Sequence, residues 1–170
     1  MSIVSCTSSH DKMKKDISTA LKKANESFSS NHPDSASENE VRVTIEAFVQ
    51  KFPDDSLNPV YLFELAQFFE NRRQYDSALK TLGKIYSGYP HAKQASQAVF
   101  HQGFIYSEDL KQYDLAREKY QLYIDEYSSV DAKMTNDAKF EIEHLGKSPE
   151  EILKEIQAKA HADSVQAAAK

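Results

Sequence analysis

Residues 59–90 read PVYLFELAQFFENRRQYDSALKTLGKIYSGYP, and this stretch decides the fold. Leu62, Leu65 and Phe69 in its first half, and Leu82 and Ile85 in its second, recur every three or four residues. That spacing puts one apolar stripe on each of two helices. Ala66 and Ala78 are small, so the two stripes can approach closely. Asn71-Arg72-Arg73-Gln74 is polar and predicts the turn between them, with the ring of Tyr75 beside it. Pro90 cannot continue a helix and helps stop the second one. The stretch is a helix–turn–helix hairpin.

A shifted copy tests whether the hairpin is a repeat. Moving forward, Val99, Gln102-Gly103, Tyr106, Ala116 and Tyr120 take the places of Leu62, Leu65-Ala66, Phe69, Ala78 and Leu82, and Ser128 takes that of Pro90. Ala66 to Gly103 is 37 residues and Ala78 to Ala116 is 38, so the turn at Ser107 to Gln112 carries one extra residue. Moving backward, Phe52-Pro53 matches Tyr89-Pro90 at 37 residues. Ile45, Phe48 and Val49 then fall on Leu82, Ile85 and Tyr86. Tyr120, Tyr123, Ile124 and Tyr127 complete a set of three second helices in one register. A chance pair of amphipathic helices would not keep the aromatic-Pro step, the small residues and the turn length together.

With Leu62, Leu65-Ala66, Phe69, Ala78, Leu82 and Pro90 at those offsets, the chain from about Ser37 to Leu145 resembles the tetratricopeptide repeat family. It departs where the family's usual Trp is Leu62 or Val99 and where the last Pro is Ser128. The resemblance implies an all-α fold: a right-handed superhelical stack of about three antiparallel hairpins closed by a C-terminal capping helix. The run from Tyr89 to Ala98 resembles the joint between repeats in bacterial cell-envelope members. These include the periplasmic coordinator associated with the Tol–Pal system and the lipoprotein partner of the outer-membrane β-barrel assembly machine.

Three divisions follow along the chain: a disordered tether over 1–10, a helical domain over 11–146, and a C-terminal helix with a frayed tail over 147–170. In the tether, Ile3-Val4-Ser5-Cys6 resembles a bacterial lipobox, with Thr7-Ser8-Ser9 as a polar continuation. A signal peptide needs a charged start and an apolar run upstream, and only five residues precede Cys6. The competing expectation is an inert thiol in a disordered N-terminus. Asp11 to Phe28 places Met13, Ile17, Ala20, Leu21, Ala24 and Phe28 on one helical face, with five lysines around the rest. It reads as the first helix of a first hairpin, in preference to a basic membrane-surface helix. Ser37 and Glu40 have the spacing of a capping box opening the next helix. Ala138, Phe140, Ile142 and Leu145 mark an unpaired capping helix. Gly146 should end it in the left-handed conformation, and Ser148-Pro149-Glu150-Glu151 should restart one. Beyond Ala158 the tail is Ala-rich with no stripe, and fraying is expected.

Composition narrows function. The formal net charge of −5 argues against an electrostatic nucleic-acid binder. A single cysteine allows no disulfide within the chain and no Cys-based metal site. No stretch is long and apolar enough to span a bilayer, so any membrane attachment would run through a lipidated Cys6. The six histidines are scattered. Glu141-x-x-His144 is half of a di-iron carboxylate motif whose second copy is missing. No phosphate-cradling loop, nucleophile elbow or zinc-protease motif is present. The expectation is a chain that is not an enzyme, uses no cofactor or metal, takes no small-molecule substrate and binds other proteins or peptide segments. In the tetratricopeptide geometry the inward places of the first helices fall on Phe63, Gln67 and Glu70, then on Phe100, Phe104 and Ser107. Those residues are the expected partner-binding groove, with packing between hairpins as the alternative role for the rings. The envelope resemblance and Cys6 together imply a lipid-anchored scaffold on the periplasmic face of the outer membrane. The alternative is a soluble cytoplasmic adaptor of the same fold.

Overall fold

A computed structural model describes residues 8–30 and 35–168. Every regular element among them is helical: α1 Ser9–Ser29, α2 Ser35–Lys51, α3 Asn58–Glu70, α4 Tyr75–Gly88, α5 Lys93–Phe104, a π-helical turn Ile105–Asp109, α6 Tyr113–Tyr127, α7 Ala132–His144 and α8 Pro149–Ala168. Consecutive helices pack on one another, α1 on α2, α3 on α4, and α6 on α7. The fold is all-α, with the helix-pair packing of a tetratricopeptide-like solenoid and a further helix at the C-terminus. Two compact units divide at Ala98 and Val99.

In the first unit the core is built by the residues that set the repeat. Ile45, Phe48, Leu62, Leu65, Ala66, Ala78, Leu82 and Ile85 are all buried. α1 contributes Ile17, Ala20 and Ala24 to the same interior, which makes it the partner of α2. Its lysines stay outside, Lys14 beside Asp11 at 3.1 Å and Lys23 donating to Glu40 at 2.8 Å.

Two polar residues depart from expectation here. Arg72, in what the sequence reads as a solvated turn, has a side chain only 3 % exposed. Its Nε donates to Glu38 of α2 at 2.8 Å, a terminal nitrogen donates to the Ala24 carbonyl of α1 at 3.0 Å, and the guanidinium lies 3.6 Å from the Phe68 ring centre. Asn58, an amide at the start of α3, is completely buried. Its amide donates to the carbonyls of Phe52 and Pro53 at 2.7 and 3.0 Å and so fixes the entry into α3. The expected cap at Ser37 is also displaced: α2 already starts at Ser35, and Ser37 is buried within its first turn.

The N-terminus of α1 is latched to the turn between α2 and α3. The His10 ring contacts the rings of Phe48 and Phe52, and its Nε2 reaches Asp55. The Leu57 backbone N–H donates to the other Asp55 oxygen at 2.8 Å. The Leu57 donor first, and His10 second, hold the Asp55 carboxyl below its ordinary range. A depressed carboxyl stabilises the fold above its unfolded pKa of about 3.9, and that contribution disappears as pH falls through the folded value. Asp55→Asn should therefore lower stability by about 1 kcal/mol at neutral pH. The gap between the thermal melts of the two proteins should narrow as pH is lowered below the unfolded value, and a gap that does not narrow in acid would contradict the latch.

In the second unit, Val99, Ile105, Ala116, Tyr120, Tyr123 and Ala138 are buried. Tyr120 thus occupies in α6 the buried place that Ile45 has in α2 and Leu82 in α4. Gly103 lets the Tyr120 ring lie directly against the α5 backbone. The extra residue predicted for this turn is present, and it is stored further back than its composition suggests. In the first unit the Gln74 N–H reaches the Phe69 carbonyl, five residues back, at 2.9 Å. At the equivalent place the Gln112 N–H reaches the Tyr106 carbonyl, six residues back, at 2.8 Å. Arg73 and Lys111 close the two turns with the same left-handed backbone, φ 57° and 54°. The added residue widens the end of the first helix into a π turn.

Gly146 ends α7 at φ 78° as expected. The restart is a reciprocal capping box: the Glu151 N–H donates to Ser148 Oγ at 3.3 Å, and the Ser148 N–H donates to Glu151 Oε2 at 2.7 Å. α8 runs to Ala168, well past Ala158. Alanine has the highest helix propensity of any residue, and that suffices for a helix with almost no buried face.

Candidate protein-interaction surface

Phe63, Gln67 and Glu70 belong to the first unit, on α3. Gln67 is exposed, while Phe63 and Glu70 are half-buried. Gln67 lines a cavity of about 260 Å³ with Leu21 and Asn25 of α1 and Glu64, Phe68 and Asn71. Burial pushes the Glu64 carboxyl above its ordinary range. This wall is rich in amides and poor in charge, a surface that can hydrogen-bond a peptide backbone without selecting one sign of charge.

Phe100, Phe104 and Ser107 belong to the second unit, and they separate from one another. Phe100 is half-buried, and its ring stands edge-on to Tyr120 and Tyr123 at 5.2 and 5.6 Å. It packs inside its own hairpin. Ser107 is buried in the π turn, with its hydroxyl donating to Glu108 at 2.8 Å. Phe104 alone of the three is exposed, at 39 %, with its ring stacked on His101 at 5.8 Å. Cys6 lies outside the described residues.

Phe104 lies within the segment that matches a known family model. Residues 97–129 match the family model described as tetratricopeptide repeat. This segment is a tetratricopeptide-like repeat. It takes in the end of α5, the π turn and α6. No curated protein and no solved structure gives a significant match to the chain.

Among the described residues no group of three or more His, Cys, Asp or Glu is placed to hold a metal ion. The half-motif Glu141-x-x-His144 is accounted for otherwise: the His144 ring rests on Phe140, and its Nδ1–H donates to the Phe140 carbonyl at 2.7 Å. Among the described residues no helix is long and apolar enough to cross a membrane. The chain is an all-helical interaction domain with a tetratricopeptide-like repeat over residues 97–129 as its recognisable part.

Proposed function

We propose that the chain is a tetratricopeptide-type adaptor that acts without a lipid anchor, holding an extended or helical segment of a partner protein on the faces of its first helices. The observation that carries this reading is Phe104, a large ring left exposed inside the repeat on the same helix as Phe100, while Tyr120 and Tyr123 of the facing helix are buried. In the first unit, Gln67 and its amide-lined cavity supply the polar contacts. Exposed rings and hydrogen-bonding amides are each residue types that protein interfaces use.

Crosslinking in the native cell followed by mass spectrometry would identify the partner. Phe104→Asp combined with Gln67→Ala should then reduce its capture by about tenfold or more, with the helical circular-dichroism signal intact. Unchanged capture would remove this surface from consideration. Phe100 is left untouched in that test, because its ring supports Tyr120 and Tyr123.

A second reading, a lipid-anchored scaffold of the bacterial envelope, is supported by one observation, the Ser2-Ile3-Val4-Ser5-Cys6 sequence. A diacylglyceryl mass on Cys6 in the protein taken from its own cell would favour it. An unmodified thiol there would favour the unanchored adaptor.

A further inference from the structure

The start of α1 is tied down by polar contacts. Ser8 caps the helix, its Oγ accepting from the Asp11 N–H at 3.1 Å. No residue from Ser9 to Asp16 is buried, and the apolar anchoring of α1 begins only at Ile17. What holds the first two turns lies on α2 and the turn after it. His10 Nε2 stands 2.5 Å from Asp55, and Lys51 donates to Ser9 Oγ at 2.6 Å. The imidazole also rests against the rings of Phe48 and Phe52, with centres 5.3 and 4.9 Å away. A helix start with so few buried apolar contacts is where local opening begins.

Several elements bring charge or a titratable group to His10. On α1 itself, Asp11 stands 3.9 Å from Nδ1, but Lys14 pairs with it at 3.1 Å. From α2 comes Lys51, whose ammonium lies 5.7 Å from the Phe52 ring centre. α3 offers the neutral phenol of Tyr61, edge-on to Phe48. His91 borders a cavity that Asp55 also borders. The helix N-terminus and the two lysines disfavour a cation on the imidazole, whereas Asp55 favours it. Asp55 prevails because it is in direct contact and more sheltered than Asp11, with side chains 17 % and 54 % exposed. A hydrogen bond between an imidazolium and a carboxylate is about twice as strong as a neutral one. Imidazole is also the side chain whose charge ordinarily changes between about pH 5 and 8. The Leu57 N–H first, and His10 second, keep the Asp55 carboxyl in its charged form, so through that range only the His10 side of the pair changes charge.

We propose that His10 and Asp55 form a pH-sensitive clasp, which holds the first two turns of α1 against the α2–α3 turn while the imidazole is charged and lets them open more often once it is neutral. The contribution is full in mild acid, where both partners carry charge, and falls as pH rises through the imidazole range. Opening lifts the imidazole from Phe48 and Phe52 and uncovers aromatic surface next to Asp55. The device lies within the first unit and stands or falls without the partner surface.

Amide hydrogen exchange of the full chain, isotopically labelled, is measured at about pH 5.5 and about pH 8 and divided by the rate of the unstructured sequence at the same pH. Protection of the Lys12 to Asp16 amides should fall by about fivefold between the two, while that of Leu65 to Phe69 in α3 stays constant. The His10 ring protons should titrate with the same midpoint as the protection. His10→Gln, whose amide can donate to Asp55 without changing charge, should abolish the fall, and His91→Gln should keep it. Amide dispersion in the same spectra reports that each variant is folded. Equal protection at the two pH values, or a fall of the same size in His10→Gln, would overturn the clasp. So would a fall that disappears in His91→Gln.

Discussion

Arg72→Ala should cost the first unit about 3–5 kcal/mol in urea unfolding. A typical domain has about 5–15 kcal/mol in total, so this one change removes a large share of it. The guanidinium serves three helices at once. It neutralises Glu38 of α2, satisfies carbonyls of Ala24 in α1 and Phe68 in α3, and lies over the rings of Phe68 and Phe28 at 3.6 and 4.7 Å. Truncation leaves Glu38, whose side chain is 21 % exposed, without its ion-pair partner and takes a donor from two backbone carbonyls. Arg72→Lys should recover less than half of the loss, because an ammonium cannot make the planar fork that reaches a carboxylate and a carbonyl together. Arg73→Ala, one residue on and exposed, should change stability by no more than about 0.5 kcal/mol. A loss below about 1 kcal/mol for Arg72→Ala would mean that the three helices hold together without it.

Gly103→Ala and Gly88→Ala should move stability in opposite directions. Replacing a helical glycine with alanine ordinarily gains up to about 1 kcal/mol. At Gly88 nothing lies within 4 Å of the added methyl, and a gain of about 0.5 kcal/mol is expected near that helix end. At Gly103 the methyl would sit 2.8 Å from two ring carbons of Tyr120. That ring is fully buried and edge-on to Phe100, so it has nowhere to retreat. Overpacking should outweigh propensity and give a net loss of about 1–3 kcal/mol. Thermal melts of both variants decide the matter. A gain at Gly103 would show that the α5–α6 contact is looser than described, and Gly103→Ala with Tyr120→Leu should restore part of the loss.

These two expectations mark where the sequence is legible. The stripes through Leu62, Leu65 and Phe69 and the small places Ala66, Ala78 and Ala116 follow from helical spacing alone, and the same places are buried. Gly146, Ser148 and Glu151 were readable because a helix end needs only its neighbours in sequence. Nothing local separates Arg72 from Arg73. Their fates diverge because Ala24, 48 residues away, arrives to meet one and not the other. Asn58 is similar, a turn-forming residue by type that two earlier carbonyls draw inward. The expected groove was only partly readable for the same reason. Phe100 and Phe104 share a helical face by spacing, yet the tyrosines of α6 cover the first and leave the second. Glu141 drew attention as half of a metal motif. Its actual peculiarity, a charge in a sheltered corner without a partner, depends on a π turn that no pattern of apolar residues announces.

That widened turn also bears on how such chains change over time. An inserted residue would ordinarily swing every later side chain about 100° around the helix axis, and the stripes of α6 would no longer face inward. Here the surplus is absorbed within a single loop of backbone, and Ala116 and Tyr120 return to phase at once. A module that swallows one-residue insertions at this joint can vary in length from copy to copy while its interior stays matched.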